Sequence, residues 1–377
     1  MVCQEPFRIF FPVGALLGVV GVSLWPLFYS GATIAYPNIA HARLMIEGLM
    51  GSFIFGFLGT AGPRLTGAPH FSAAEVAAIF TLDLFAAGFH VGGANRIGDI
   101  CFLVCLVVFG VALAKRFRQR KDSPPPNFVL VGLGLLSAIV GTALIAIAEA
   151  AQYSRNYQFG SALLNQSWVL LQVLGVAPFF IRRLLDLPTP ELPESRALPP
   201  EWKRQATFAA FIGAVIVVSF WIDIVGLQGT GGWLRAAAIA FYVVTRIPFR
   251  GQTLLANSLR AGILSMLAGF VAIALLPLYR VGALHIVFIT GFNLVAFTVA
   301  IRVVYGHSGN LQLLQKRLWF FVIMIALLVL AMIARVSADF LPRARTAHLI
   351  AAAICWLAGA FIWIARVIPK VTIAEAE

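Results

Sequence analysis

The chain predicts an all-α, polytopic membrane protein of about twelve transmembrane helices with both termini cytoplasmic, and three observations carry that prediction. Of its 377 residues 60% are hydrophobic and only 11% charged, with a mean hydropathy of +0.92. A soluble domain carries roughly 25% charged residues, so this much apolar surface needs lipid as its solvent. Second, the apolar residues fall into long runs near the ~20 residues with which a helix crosses hydrocarbon. Third, the turns between the runs alternate between strongly basic and nearly uncharged, as the positive-inside rule requires of a multi-pass chain.

The runs follow one another with short polar punctuation. Phe7 to Tyr29 opens the series, and Ile39 to Gly62 follows, closed by Arg64. Ser72 to His90 precedes Ile97 to Lys115, which runs into Lys115, Arg116, Arg118, Arg120 and Lys121. Phe128 to Ala151 precedes Ser161 to Leu184, whose end carries Arg182 and Arg183. The proline-rich stretch from Leu187, with Glu191, Glu194 and Glu201, divides the chain into a first six-helix half (residues 1–186), a cytoplasmic linker (187–203) and a second six-helix half (204–377). In the second half, Arg204 to Val225 and Trp233 to Pro248 are followed by Arg246 and Arg250, and then come Leu254 to Pro277 and Gly282 to Tyr305. Lys316 to Val336 and Arg345 to Val367 complete the set, with Lys316, Arg317, Arg366 and Lys370 on the basic side. The opposite turns hold only Arg96, Arg155, Arg235, Arg280, Arg343 and Arg345. No internal sequence repeat is evident.

A formal charge of +13 would suggest a polyanionic partner in a soluble protein. Here the basic residues occupy turns, where they set orientation, so nucleic-acid binding is excluded and the lipid bilayer is the partner. The four cysteines form no disulfide framework or zinc pattern, and no Cys-x-x-Cys-His is present for covalent haem. No short cleavable signal precedes the first run.

Chemistry is sought in the ionisable groups at membrane depth, each of which costs ~2.5–3.5 kcal/mol to insert and therefore needs a partner or a cavity. Under the predicted topology His41, His90, His285 and His348 gather toward the outer face, and His70 and His307 lie on the cytoplasmic side. In the second run His41 and Met45 share one helix face, with Arg43 and Glu47 on a roughly opposite one. Imidazole and thioether suit haem iron or copper, so His41 and Met45 are candidate ligands; the alternative is an interfacial histidine, a core methionine and a buried Arg43–Glu47 pair. His285 and His307 stand about 33 Å apart along one helix and belong to different sites. His285 can meet His41 at similar depth, the arrangement of two axial ligands for a non-covalent haem. His307 sits at a glycine-bounded helix end, where Gly306 or Gly309 can supply a C-cap. Asp83, Glu149 and Asp223 are further intramembrane acids that fit either an ion path or pairing with arginine. Pro178, Pro248 and Pro277 mark possible helix breaks.

The segment His41-Ala42-Arg43-Leu44-Met45, continued through Gly48-Leu49-Met50-Gly51-Ser52 to Gly62-Pro63-Arg64-Leu65-Thr66-Gly67, resembles the NnrS family. Pro178-Phe179-Phe180, the stretch from His285 to Arg302, and Gly306-His307-Ser308-Gly309 are similar in the same order. The resemblance implies a bacterial inner-membrane haem protein, with copper as a second metal, linked to nitric oxide, nitrosative stress and denitrification. It implies His41 and His285 as ligands, with Arg43 free to meet a haem propionate or an anion, and Met45 and His307 as further metal candidates. The family motif is His-x-His-Glu-Met; here Arg43 stands for the second histidine and Leu44 for the glutamate. A guanidinium stays protonated and cannot ligate a metal, so a copper site using that position is lost or remade. The family's ninth-span histidine is likewise missing from Ala256-Asn257-Ser258.

Three functions follow. The first is a haem membrane protein of the nitric oxide response. The second is a transporter in which Asp83, Glu149 and the Arg43–Glu47 groups line a path between two six-helix halves. The third is a divergent member without cofactor that serves assembly or sensing. No catalytic residue is identified.

Overall fold

The computed structural model describes residues 2–148, 154–188 and 196–373. Glu149, Glu191 and Glu194 lie outside the described residues. The described chain is all-α, and its long helices come in chain order as α1 (Phe7–Tyr29), α2 (Asn38–Thr66), α3 (Ala73–Val91), α4 (Asn95–Gln119), α5 (Pro126–Ala148) and α6 (Arg155–Leu184). Then follow α7 (Pro200–Ile224), α8 (Gln228–Arg246), α9 (Leu254–Leu275), α10 (Pro277–His307), α11 (Trp319–Phe340) and α12 (Pro342–Val371). Eleven of these are long and apolar enough to cross a membrane. The remaining one, α8, carries Arg235 and a glycine-rich first turn.

The predicted runs coincide with these helices, with differences at their ends. The sixth helix starts at Arg155, where Ser154 caps it by accepting from the Tyr157 N–H. Pro178 lies inside a continuous α6, while Pro277 opens α10 and Pro248 follows the end of α8. Proline at a first helical turn loses no bond, because that N–H has no partner in the helix. At the start of α3, Ser72 and Glu75 form a reciprocal capping box. The end of α10 is closed as the sequence suggested: Gly309 adopts φ +69, and the Asn310 N–H donates back to the Tyr305 carbonyl at 3.0 Å.

The chain folds as two compact units: Met1–Phe10 with Ile54–Arg250, and Phe11–Phe53 with Gly251–Glu377. In the first unit, Phe55, Phe102, Phe109 and Trp168 form a buried aromatic core, with Phe55 and Phe109 ring centroids 4.8 Å apart. In the second, Phe53, Phe297 and Trp363 do the same, with Phe297 and Trp363 5.3 Å apart. Other large apolar side chains point outward, among them Val111, Phe211 and Val244. In water such a surface would aggregate; in a bilayer it meets acyl chains.

Lipid provides no hydrophobic drive between helices, so association relies on close packing through small residues. Glycines supply it at three equivalent places. A Cβ on Gly14 of α1 would stand 2.8 Å from the Ser52 Cβ of α2. Gly141 of α5 and Gly160 of α6 each meet the other's carbonyl oxygen, at 2.8 and 2.7 Å. Gly262 of α9 faces the Gly291 carbonyl of α10 at 3.2 Å.

Each second partner in these pairs is interrupted by a π-helical segment: Leu44–Gly51 in α2, Leu163–Ser167 in α6 and Ile286–Asn293 in α10. The pattern recurs every fourth helix and gives the chain a four-helix period that its sequence conceals. The π segments read LMIEGLMG, LLNQS and IVFITGFN, so what repeats is a backbone state and a glycine contact rather than a residue string. π turns are rare and concentrate at functional sites.

Candidate functional site

Two of the three π segments begin within three residues of a histidine. His41 lies in the last α-helical turn of α2 before Leu44, and His285 is the last α-helical residue of α10 before Ile286. Both belong to the second unit.

The two rings are held in the same way. The Nδ1–H of His41 donates to the Gly21 carbonyl of α1 at 2.9 Å. The Nδ1–H of His285 donates to the Val281 carbonyl one turn earlier at 2.7 Å. A carbonyl only accepts, so each neutral ring carries its proton on Nδ1 and leaves Nε2 as a lone pair. Neither Nε2 has a partner among the described residues. This is the tautomer that metal-ligating histidines adopt, with the second nitrogen oriented by a backbone carbonyl. Both rings are half-buried.

His41, His285 and Arg335 lie within electrostatic range of one another. Aromatic rings wall the site: Trp25 meets His41 edge-on at 5.9 Å, and Phe288 meets His285 at 5.9 Å. Trp25 in turn packs on Tyr29 and Tyr36.

The other predicted residues are placed differently. Met45 stays near His41, its Sδ 3.4 Å from where a Cβ on Gly21 would stand. Arg43 and Glu47 are buried together, Nε to Oε1 3.2 Å, at 3% and 2% exposure. The Arg43 guanidinium is thus engaged within its own helix. His307 sits at the far end of α10, about 33 Å from His285 at 1.5 Å per residue, and takes no part in the His41–His285 site. His348 accepts or donates at 2.6 Å with the Ser337 hydroxyl.

Several residues of the site escaped the sequence reading. Arg335 and Asp339 of α11 pair at 3.1 Å, Nη1 to Oδ1. Two opposite charges four residues apart at the end of an apolar run were the available signal. Gly21 and Val281 contribute only carbonyl oxygens, which no side-chain pattern can reveal.

The first unit has its own buried polar groups. His90, at the end of α3, donates from Nδ1 to Asn95 Oδ1 at 3.2 Å, and its Nε2 lies 3.9 Å from Asp99 Oδ1 of α4. Gly98 makes room for that imidazole, because a Cβ there would stand 2.6 Å from His90 Cε1. His90 and Asp99 are both buried residues of metal-ligating type. Asp83 is buried on α3, one side chain at 1% exposure. Asp223 of α7 pairs with Arg235 of α8 at 2.8 Å.

Comparison with curated proteins returns no match. The NnrS protein family matches residues 1–373. With an all-helical, multi-pass architecture and this family match over nearly its whole length, the chain belongs to the NnrS family of membrane proteins.

Proposed function

We propose that this protein is a haem-binding inner-membrane protein of the nitric oxide response, with both termini cytoplasmic and His41 and His285 as the haem ligands. The observation that carries the proposal is the matched pair of imidazoles, each fixed by an Nδ1–H bond to a backbone carbonyl and each with an unpartnered Nε2. Their residue types and tautomers fit a haem iron. Trp25 and Phe288 supply the apolar, aromatic walls that a porphyrin favours. When bound, haem iron would supply one-electron chemistry.

The chain's own residues orient and enclose. Gly21 and Val281 set the ring planes through their carbonyls, and the π turns after both histidines fix where the imidazoles point. Copper has less support, since Arg43 replaces a histidine of the family motif and is occupied by Glu47. Met45, close to His41, is the soft donor that a second metal would use. Packed ion pairs such as Arg43–Glu47 and Asp223–Arg235 favour this reading over a transporter, whose charged groups would line a wet path.

The test is an absorption spectrum and iron and copper analysis of the detergent-purified protein from haem-replete cells. A Soret band with about one iron per chain is expected for the wild type and for His70→Ala. His41→Ala and His285→Ala are expected to lose it. A wild-type protein without a Soret band refutes the proposal.

A further inference from the structure

We propose that Arg335 is the anion-binding residue of the imidazole site and holds a carboxylate of the bound group, an assignment that rests on the haem reading above. The argument starts from the register of two antiparallel helices. Tyr279 of α10 stacks on Phe340 of α11 with centroids 4.2 Å apart. One turn on, Gly282 faces Asp339, whose Oδ2 would lie 2.8 Å from a Cβ at that glycine. Continuing the same register places His285 opposite Arg335, which is where the charge interaction between them is felt.

Arg335 is therefore a cation opposite His285, and it is incompletely used. Among the described residues only its Nη1 has a partner, Asp339. Nε and Nη2 make no hydrogen bond, and the side chain is 12% exposed. A guanidinium carries five N–H groups in a planar fork that matches a carboxylate. One carboxylate at its edge leaves that capacity largely unmet.

Asp339 is the carboxylate paired with Arg335, and the two imidazoles, neutral in the tautomer described above, add no anion to receive the remaining N–H groups. Arg43, the other arginine near His41 in sequence, lies against Glu47 of its own helix, Nε to Oε1 3.2 Å. Asp339 acts as a positioning residue: braced at Gly282, it holds the guanidinium with its free edge toward the imidazoles.

The experiment titrates haem-depleted full-length protein with hemin and with hemin dimethyl ester, which lacks free carboxylates, and reads the Soret band. Wild type is expected to prefer hemin by about 10- to 100-fold, the value of charge-assisted hydrogen bonds to a carboxylate. Arg335→Gln is expected to lose that preference while binding the ester as wild type does, which also shows that the variant is folded. Arg335→Lys is expected to keep part of it. A preference unchanged in Arg335→Gln, or equal weakening of both ligands, overturns the assignment while leaving the haem reading intact. A wild type that binds neither ligand refutes the haem reading itself. If wild type shows no hemin preference but nitrite shifts the spectrum only when Arg335 is present, the site takes a free oxyanion and the carboxylate assignment falls.

Discussion

Replacing Asp223 by asparagine leaves the Arg235 guanidinium buried without its opposing charge. Arg235 is completely buried and Asp223 nearly so, with Nη2 and Oδ2 2.8 Å apart. Ser219 adds a longer contact at 3.4 Å, and the guanidinium lies over the Phe220 ring at 4.1 Å. The carboxylate fits only because residue 231 is glycine, where a Cβ would stand 2.4 Å from Oδ1. Removing one partner of a buried pair costs about 3–5 kcal/mol, and no discount for solvent screening applies to groups this enclosed. Asparagine still accepts one hydrogen bond, worth about 1 kcal/mol, so Asp223→Asn should lose about 2–4 kcal/mol. Asp223→Leu combined with Arg235→Met removes both charges and should return to within about 1 kcal/mol of wild type. Unfolding in mixed detergent micelles, followed by tryptophan fluorescence, measures all three. Wild-type stability in Asp223→Asn would refute the reasoning and return Asp223 to the list of groups that could line an ion path.

Three further outcomes are expected. His285→Gly should lose the Soret band and regain it when imidazole is added, since a free imidazole can replace the missing Nε2 donor; failure of rescue with retained fold counts against His285 as a ligand. Gly141→Ala should destabilise the first unit by about 1–3 kcal/mol, because its Cβ would meet the Gly160 carbonyl and the Leu164 amide, backbone atoms that cannot turn aside. Glu75→Ala should cost about 1–2 kcal/mol by removing both the α3 capping box and the two hydrogen bonds from Arg116, with Glu75→Gln losing less; thermal unfolding in detergent checks both.

Much of the architecture was legible in composition and periodicity. Apolar runs near the bilayer's thickness leave the backbone no alternative to helices, so the order and approximate ends of all twelve follow from the chain alone. Local caps were legible too, as at Gly309, where a positive φ is a property of the residue itself. The similar stretches around His41, Pro178 and His285 pointed to the family. The eighth helix was found although α8 is the least apolar, but the reason Arg235 is tolerated there was not, because its partner Asp223 belongs to the preceding helix.

Residue types alone therefore determined the solvent, the helices and the two candidate imidazoles. Only tertiary structure decided which ring nitrogen is free, because Gly21 and Val281 act through carbonyls that every residue possesses. The proposal that Arg335 rather than Arg43 meets an anion likewise rests on the register of α11 against α10, which residue types do not display. The π segments and their four-helix period became visible only in the folded backbone. A hydrogen-bond shift of one residue leaves no mark on composition, yet it redirects every side chain that follows it.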